Sequence, residues 1–223
     1  INLFSYALLM IKWKKTILDR GICMKAEEVI MDAVIEASRK LPLEAVKALE
    51  KAREEENGNG KVVLNAILDN LALAEKLEIP LCQDTGMMWC WAEIGRNARL
   101  DIVKLEKLIN SSLSKAFKKG LFRTSVVSDV MGERKNTGDN LPAVINYSLT
   151  SGSDITLHFL LKGFGSENCS SVTMLNPTAG KEGVVEAVVE SMRKAGAKPC
   201  PPVFIGVGVG GTMDRAALMS KEA

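Results

Sequence analysis

The chain has 223 residues, of which 47% are hydrophobic and 25% are charged. This composition excludes a disordered chain, because disordered segments are poor in aliphatic residues and carry a large net charge. The 29 basic and 27 acidic residues nearly balance, so the sequence lacks the charge excess typical of nucleic-acid-binding proteins. The single histidine, His158, excludes every site that needs two imidazoles, including histidine-rich zinc sites.

The first 23 residues differ in character from the sequence that follows them. Residues 1–11 are largely apolar and precede a basic segment over residues 12–15. The apolar run is shorter than the roughly 20 residues that a membrane span needs, and a signal peptide carries its charges before the apolar run. Because position 1 is not Met and a regular helical pattern begins at Met24, we expect residues 1–23 to be an upstream extension.

The cysteines are scattered along the chain and no Cys-x-x-Cys spacing occurs. There are five of them: Cys23, Cys82, Cys90, Cys169 and Cys200. Without a secretory signal, this pattern is typical of a reduced, cytoplasmic chain with buried thiols. Cysteine ligands for a metal or a cluster also come from distant loops, so the spacing leaves such a site open.

Three amphipathic helices are predicted between residues 24 and 80. Apolar residues recur at spacings of three and four after Met24, which places them on one face of a helix. A second helix is predicted to begin at Pro42, and a third is predicted to stop before Pro80. We therefore expect an all-helical N-terminal section over residues 24–80.

Beyond Pro80 the hydrophobic period becomes typical of strands. They are predicted at residues 87–94, 143–149, 155–161 and 203–209. Two amphipathic helices are predicted between the strands, around Leu108 and Val188, and the polar residues 151–154 predict a β-hairpin. The expected fold class is α+β, in which the helical section precedes a mixed β-sheet with flanking helices over residues 81–223.

Three loops concentrate reactive or conformationally permissive residues. They are residues 80–86, with Cys82 and Asp84; residues 162–169, with Gly165 and Cys169; and residues 199–202, with Cys200 between prolines. Glycines let a backbone approach a ligand closely, and a cysteine held between prolines suits a metal ligand. The same residues occur in ordinary turns, so composition leaves both interpretations open.

A fourth loop contains a GxGxxG pattern, formed by Gly206, Gly208 and Gly211, that leads into a helix capped by Thr212. A dinucleotide site needs an acidic residue ~20 positions further on, and only 12 residues follow Gly211. No termination signal follows this helix before Ala223, so we expect a truncated C-terminus. The amides at the helix N-terminus still suit a carboxylate or phosphate. A non-catalytic small-ligand or dinucleotide-binding module therefore remains an alternative function.

Two side chains outside these loops also carry groups that could take part in binding or catalysis. Arg123 follows a predicted helix, and an arginine fork binds a carboxylate through two hydrogen bonds, which makes it a candidate anchor for an acidic substrate. By itself, however, such an arginine is more typical of a surface. His158 lies within the strand-like run 155–161 and is predicted to be a sheet residue rather than a catalytic base.

Five motifs occur in order along the chain. They are Cys82-Gln83-Asp84-Thr85-Gly86, Arg134-Lys135-Asn136-Thr137-Gly138-Asp139-Asn140-Leu141-Pro142-Ala143, Gly165-Ser166-Glu167-Asn168, Cys200-Pro201-Pro202 and Gly208-Val209-Gly210-Gly211-Thr212. With these motifs, the chain from about Met24 to Ala223 resembles the α subunit, equivalently the N-terminal half, of class I iron–sulfur fumarate hydratases and L(+)-tartrate dehydratases.

The resemblance implies a 4Fe–4S cluster held by three cysteines, with one iron open to substrate. Cys82 and Cys200 match two of the ligand positions, and the third family cysteine lies in a C-terminal stretch that this chain lacks. Cys169 does not match a family ligand position. Phe164 replaces the middle glycine of the usual Gly-Gly-Gly-Ser, which narrows that loop.

By family position, Gln83, Asp84, Arg123 and Gly165 contact the substrate, with Asp84 as the acid/base candidate and Arg123 as the carboxylate anchor. The implied reaction is the reversible hydration of fumarate to malate, in which a Lewis-acidic iron binds the departing hydroxyl. Tartrate and mesaconate are alternative substrates that the motifs do not distinguish from fumarate.

The resemblance also implies a partner. The rest of the family's site comes from a β half, so we expect a β subunit, a hetero-oligomer and a dicarboxylate substrate. We further expect the cluster ligands and substrate contacts of this chain to converge in one cleft: Cys82, Gln83, Asp84, Arg123, Gly165 and Cys200.

Overall fold

The computed structural model describes residues 2–3, 6–13, 20–200 and 202–223, and it describes side chains from residue 25 onwards except at residue 201. The helices are α1 (Arg20–Arg39), α2 (Leu43–Glu55), α3 (Gly58–Leu77), α4 (Ile102–Lys119), α5 (Phe164–Glu167), α6 (Gly180–Ala195) and α7 (Met213–Glu222). The strands are β1 (Asn2–Leu3), β2 (Tyr6–Trp13), β3 (Met87–Gly95), β4 (Val144–Thr150), β5 (Ile155–Lys162) and β6 (Ile205–Gly206). Within the described residues, none of the helices has the length and apolar character needed to cross a membrane.

Two compact units form along the chain. The first, called here the sheet unit, is Tyr6–Leu161; the second, the C-terminal unit, is Lys162–Ala223 together with β1. The sequence pattern instead predicts divisions at residues 23 and 80. These divisions differ because the hydrophobic pattern separates helical from strand-like segments, whereas the units of the structure are separated by their contacts. That residues 1–23 are an extension stays a prediction; β2 and the beginning of α1 lie among them.

The sheet unit contains a four-stranded mixed sheet in the order β2-β5-β3-β4. β2 runs antiparallel to β5, with Trp13 opposite Ile155, and β3 runs parallel to β4, with Trp89 opposite Val144. This arrangement confirms the predicted α+β class. His158 lies in β5, opposite Met10, which agrees with its assignment to the sheet.

The predicted hairpin between β4 and β5 is wrong, because β3 lies between these two strands in the sheet. The connection at residues 151–154 instead passes the end of β3: the amide of Gly95 donates to the carbonyl of Asp154 at 2.8 Å, and that of Asn97 donates to Gly152 at 2.9 Å. A Cβ on Gly95 would lie 2.6 Å from the carbonyl oxygen of Gly152. The close approach of the connection thus requires glycine at the end of β3.

The core of the sheet unit lies between the sheet and two helices. Alternate residues of β3, namely Met88, Cys90 and Ala92, are fully buried, as expected for a strand with one face on the core. They form one cluster with buried residues of α1, α4 and β5. The apolar face of α1 therefore packs in the same core as the strands. The end of α1 in turn binds the start of the loop before β3, where the amide of Leu81 donates to the carbonyl of Ser38.

In the C-terminal unit, β6 pairs with β1 in antiparallel register. Only Ile205 and Gly206 of the strand predicted at 203–209 form a strand, so that prediction is wrong for most of its length. The reason is the packing of the glycine loop on α7, where a Cβ on Gly208 would overlap the carbonyl oxygen of Ala216.

Candidate functional site

The loop with the first motif joins α3 to β3, and its beginning is held by two helices. The amide of Leu81 donates to the carbonyl of Ser38 in α1 at 2.8 Å, and Asn70 Nδ2 in α3 donates to the carbonyl of Leu81 at 2.9 Å. Beyond this anchor, Cys82 and Asp84 are half-buried and Gln83 is exposed. The loop therefore presents three of the predicted site residues from a fixed starting point.

Arg123 lies beside this loop. The hydroxyl of Thr85 donates to the carbonyl of Arg123 at 3.3 Å, and Asn140 Nδ2 donates both to the carbonyl of Gly86 at 2.8 Å and to that of Arg123 at 3.1 Å. The Arg123 side chain is exposed and forms no ion pair with an acidic residue in the described part of the chain. The sheet unit thus places the backbone of Arg123 beside the loop that carries the predicted acid/base residue.

Asn140 is the residue that holds this arrangement together. It is 0% exposed, and its Oδ1 accepts from the backbone amides of Ser125 at 2.7 Å and Val126 at 2.9 Å. With the two bonds from Nδ2, its amide is bonded on both sides, as a buried polar group requires. Its φ of 54° lies in the left-handed region, which asparagine tolerates better than most residues.

The remainder of the second motif folds back on the segment after Arg123. Val127 and Asn136 form an antiparallel bridge, and the amide of Thr137 donates to the carbonyl of Val126 at 2.9 Å. Asn136 Nδ2 donates to the carbonyl of Thr124 at 2.9 Å. Sequence reasoning selected this motif through the resemblance. In the structure, the motif places Asn140 where its side chain bonds the carbonyl of Gly86, at the end of the Cys82 loop.

In the C-terminal unit, Gly165 lies against the segment that leads to Cys200. Gly165 lies in the single turn α5, directly after β5, and a Cβ on it would lie 3.1 Å from the carbonyl oxygen of Lys198. Cys200 is exposed and has a φ of 56°, which is uncommon for a residue other than glycine. Uncommon backbone conformations concentrate at functional sites, so the geometry is consistent with a ligand role for Cys200.

A cluster of charged side chains supports α5. Lys162 Nζ donates to Glu167 Oε2 at 2.7 Å and to Ser170 Oγ at 3.1 Å, and Lys221 Nζ donates to the same Glu167 oxygen at 2.6 Å. Burial lowers the pKa of Lys162, although its bond to Glu167 opposes that effect. Burial alone would raise the pKa of Glu167, but the hydrogen bonds from both lysines hold it below its ordinary value. Sequence reasoning missed this cluster, because Lys162 ends an apolar run and Lys221 is far away in sequence.

Of the cysteines whose side chains are described, Cys90 is unsuited to a ligand role, since burial raises its pKa to about 12. Cys82 and Cys169 are half-buried and Cys200 is exposed, and none of these forms a disulfide. No group of three or more His, Cys, Asp or Glu side chains suited to a metal occurs among the described residues. The assignment of Cys82 and Cys200 as ligands of the implied cluster stays a prediction.

That the N-terminus of α7 binds a carboxylate or phosphate stays a prediction. The first turn of α7 carries an acidic residue, Asp214. The pKa of Asp214 is lowered by hydrogen bonds from the Thr212 hydroxyl, from its own amide and from the amide of Arg215. The glycine loop also lines a cavity of about 650 Å³ whose walls are mostly aliphatic, such as Val184 and Val188, which does not favour a phosphate.

Comparison with known proteins agrees with the motifs. Residues 27–223 match the model of the fumarate hydratase (fumerase) family, and the chain belongs to that family. The predicted resemblance is therefore confirmed at the level of the family.

Two curated relatives are similar to the chain over most of its length. A putative L(+)-tartrate dehydratase subunit alpha of Methanocaldococcus jannaschii is 37% identical over 205 residues, which cover 90% of this chain and 72% of the relative. The L(+)-tartrate dehydratase subunit alpha of Escherichia coli (strain K12) is 28% identical over 202 residues, which cover 89% of this chain and 66% of the relative. The chain thus spans just under two thirds of the length of this second relative.

The structure gathers the predicted site residues into two groups. Cys82, Gln83, Asp84 and Arg123 lie in the sheet unit, whereas Gly165 and Cys200 lie in the C-terminal unit. The convergence of all six in one cleft stays a prediction. Sequence reasoning included Asn140 and Glu167 in the motifs but assigned them no role, and it missed Lys162 and Lys221 as partners of Glu167.

Proposed function

We propose that the chain is the α subunit of a hydro-lyase that hydrates fumarate reversibly to malate and is completed by a β subunit in a hetero-oligomer. One observation carries the proposal: a member of the fumarate hydratase family holds an exposed arginine beside a loop with a cysteine, an amide and a carboxylate. These are the groups that a dicarboxylate substrate needs.

The reaction requires two events at neighbouring carbons of the substrate. Dehydration of malate removes a proton from one carbon and expels hydroxide, a poor leaving group, from the next. Arg123 is suited to bind one carboxylate through its planar fork, which fixes the substrate without changing its own charge. Asp84 is suited to hold or release the proton at its carboxylate oxygen, and Gln83 to orient the substrate through its amide.

The C-terminal unit supplies the remaining contact and the second thiol. The proposal gives Gly165 a contact with the substrate through its backbone, for which the absence of a side chain leaves room. Cys82 and Cys200 would hold the 4Fe–4S cluster, which when bound supplies a Lewis acid for the substrate hydroxyl. Every further group of the reaction, including a third thiolate ligand, is assigned to parts of the enzyme outside the described residues.

Dehydration of L(+)-tartrate is the second candidate function. It is favoured by the names of the relatives, which are called L(+)-tartrate dehydratase subunit alpha. Tartrate carries a second hydroxyl and is otherwise a dicarboxylate of the same length, so Arg123 and Asp84 serve both substrates in the same manner. Discrimination between them rests on groups that contact the additional hydroxyl.

Kinetics of the completed enzyme test the proposal. The chain is produced anaerobically with its β subunit, and the rates with fumarate, malate and L(+)-tartrate are compared. We expect Arg123→Ala to raise KM by about 10- to 100-fold, the range for the loss of a hydrogen-bonded ion pair. Arg99→Ala, at another exposed arginine of the sheet unit, is the matched control and should leave KM unchanged.

Two results would contradict the proposal. Absence of activity towards all three substrates rejects the hydro-lyase function, and an unaffected Arg123→Ala enzyme rejects the assigned anchor. Activity confined to L(+)-tartrate replaces fumarate by the second candidate.

A further inference from the structure

Three charged side chains meet at the end of β5, and they come from β5, from α5 and from the last turn of α7. Lys162 is the last residue of β5, Glu167 the last of α5, and Lys221 lies in the final turn of α7. Both ammonium groups bond the same carboxylate oxygen, at 2.7 Å and 2.6 Å. One oxygen atom therefore joins three elements that are separated by up to 59 positions in sequence, as counted from Lys162 to Lys221.

The burial of this cluster is costly. The side chain of Lys162 is 1% exposed and that of Lys221 is 9% exposed, whereas that of Glu167 is 33% exposed. Taking charges out of water costs so much that buried ion pairs are often replaced by apolar residues without loss of stability. Stability alone therefore does not explain the cluster.

The cluster bonds the last residue of a short segment. α5 comprises only Phe164–Glu167, and a helix of one turn is not stable by itself. Its backbone bonds run from the amide of Glu167 to the carbonyl of Gly163 at 3.0 Å and from Asn168 to Phe164 at 2.9 Å. Glu167 is two residues from Gly165, so the bonds of its side chain to the two lysines restrain this turn.

We propose that Glu167 is a positioning residue, which Lys162 and Lys221 hold in place so that the backbone of Gly165 keeps the geometry needed to contact a dicarboxylate. The inference rests on the proposed function, which assigns the substrate contact to Gly165. The role is indirect, since Glu167 acts through the α5 turn.

The first test needs no substrate. Hydrogen exchange of the amides over residues 163–170 is measured in the full chain for the wild type, Glu167→Gln, Lys221→Met and Lys221→Arg. We expect exchange roughly tenfold faster in Glu167→Gln and Lys221→Met, because the turn opens locally without global unfolding. Lys221→Arg keeps the cation and should restore slow exchange. Lys194→Met, at an exposed lysine of α6, is the matched control.

The second test uses the completed enzyme. In Glu167→Gln and Lys221→Met we expect KM to rise about 5- to 20-fold while kcat changes less than about twofold, since a displaced turn weakens substrate binding. Lys221→Arg should return KM to near the wild-type value. A thermal melt of each variant separates this effect from misfolding.

The outcomes distinguish the two proposals. Unchanged exchange over residues 163–170 overturns the positioning role, as does a lowered melting temperature with KM unaltered. A wild-type enzyme that acts on neither fumarate nor L(+)-tartrate overturns the proposed function instead, whatever the exchange shows.

Discussion

In the sheet unit, the neutral amide of Asn140 fixes the Cys82 loop and Arg123, whereas in the C-terminal unit the ions of Lys162, Glu167 and Lys221 fix the turn with Gly165. The side chain of Asn140 does not titrate and is 0% exposed. The ionic cluster titrates and is partly open to solvent through Glu167. Two groups of candidate site residues are therefore held by supports that respond differently to pH and to substitution.

The largest loss of activity is expected when one of the two proposed ligand thiols, Cys82 in the sheet unit or Cys200 in the C-terminal unit, is replaced. In the enzyme completed by its β subunit, Cys82→Ser or Cys200→Ser should remove most of the bound iron and abolish activity, because an iron–sulfur cluster takes its protein ligands from thiolates. Iron and sulfide analysis after anaerobic reconstitution measures the loss.

Cys169→Ser is the control for both thiol variants, since Cys169 matches no family ligand position. It should retain its iron. If the cluster is lost in Cys169→Ser and retained in Cys200→Ser, the ligand in the C-terminal unit is Cys169 and not Cys200.

The next largest effect is expected at Asn140. Asn140→Asp places a carboxylate oxygen against the carbonyls of Gly86 and Arg123, where the amide donates at 2.8 Å and 3.1 Å. A buried negative charge that faces two carbonyl oxygens should lower the free energy of unfolding by about 3–5 kcal/mol, as measured by urea denaturation.

Asn136→Asp provides the comparison for Asn140→Asp. Asn136 is an exposed residue that donates a single side-chain bond, to the carbonyl of Thr124. Its replacement should cost less than about 1.5 kcal/mol. Equal losses at the two positions would show that Asn140 is not the main support of the loop.

A moderate effect of pH on stability is expected in the C-terminal unit. The part of the free energy of unfolding that Glu167 contributes should depend on pH. Its pKa in the folded chain lies below the ordinary value of 4.5, because the bonds from the two lysines outweigh burial. The stability contributed by the ionised carboxylate is therefore present above 4.5 and is lost as the pH falls through the folded pKa.

Urea unfolding at a series of pH values measures this dependence. Glu167→Gln should flatten the curve below pH 4.5, whereas Glu186→Gln, at an exposed position of α6, should leave it unaltered. Identical curves for the wild type and Glu167→Gln would mean that the ionic support contributes no stability.

The smallest effect concerns thiol reactivity. Burial raises the pKa of Cys90 to about 12, so at pH 8 it should react with iodoacetamide at least about 100-fold more slowly than the exposed Cys200. Mass spectrometry of the labelled peptides measures both rates. Comparable labelling of the two would show that β3 opens readily, against the tight core found around Met88 and Ala92.

Much of the helical structure could be predicted from periodicity. The stripe of Leu105, Leu108 and Leu113 predicts α4, and Pro42 and Gly196 lie at the ends of α2 and α6 where the sequence places them. Strands were less predictable, since the position of β3 between β4 and β5 depends on pairing and not on local pattern. The strand expected at 203–209 is short for a similar reason, because Gly208 packs on α7.

The sequence by itself determined the helical segments, the α+β class and, through five motifs, the family and the candidates Cys82, Asp84, Arg123, Gly165 and Cys200. These properties depend on residue order within short windows, which a linear pattern contains. Only the tertiary structure decided what holds them: Asn140 bonds the loops of Gly86 and Arg123, and Lys221 reaches Glu167 across the unit. A buried amide or ammonium obtains its partners from segments distant in sequence, and which segments these are is decided only when the chain packs.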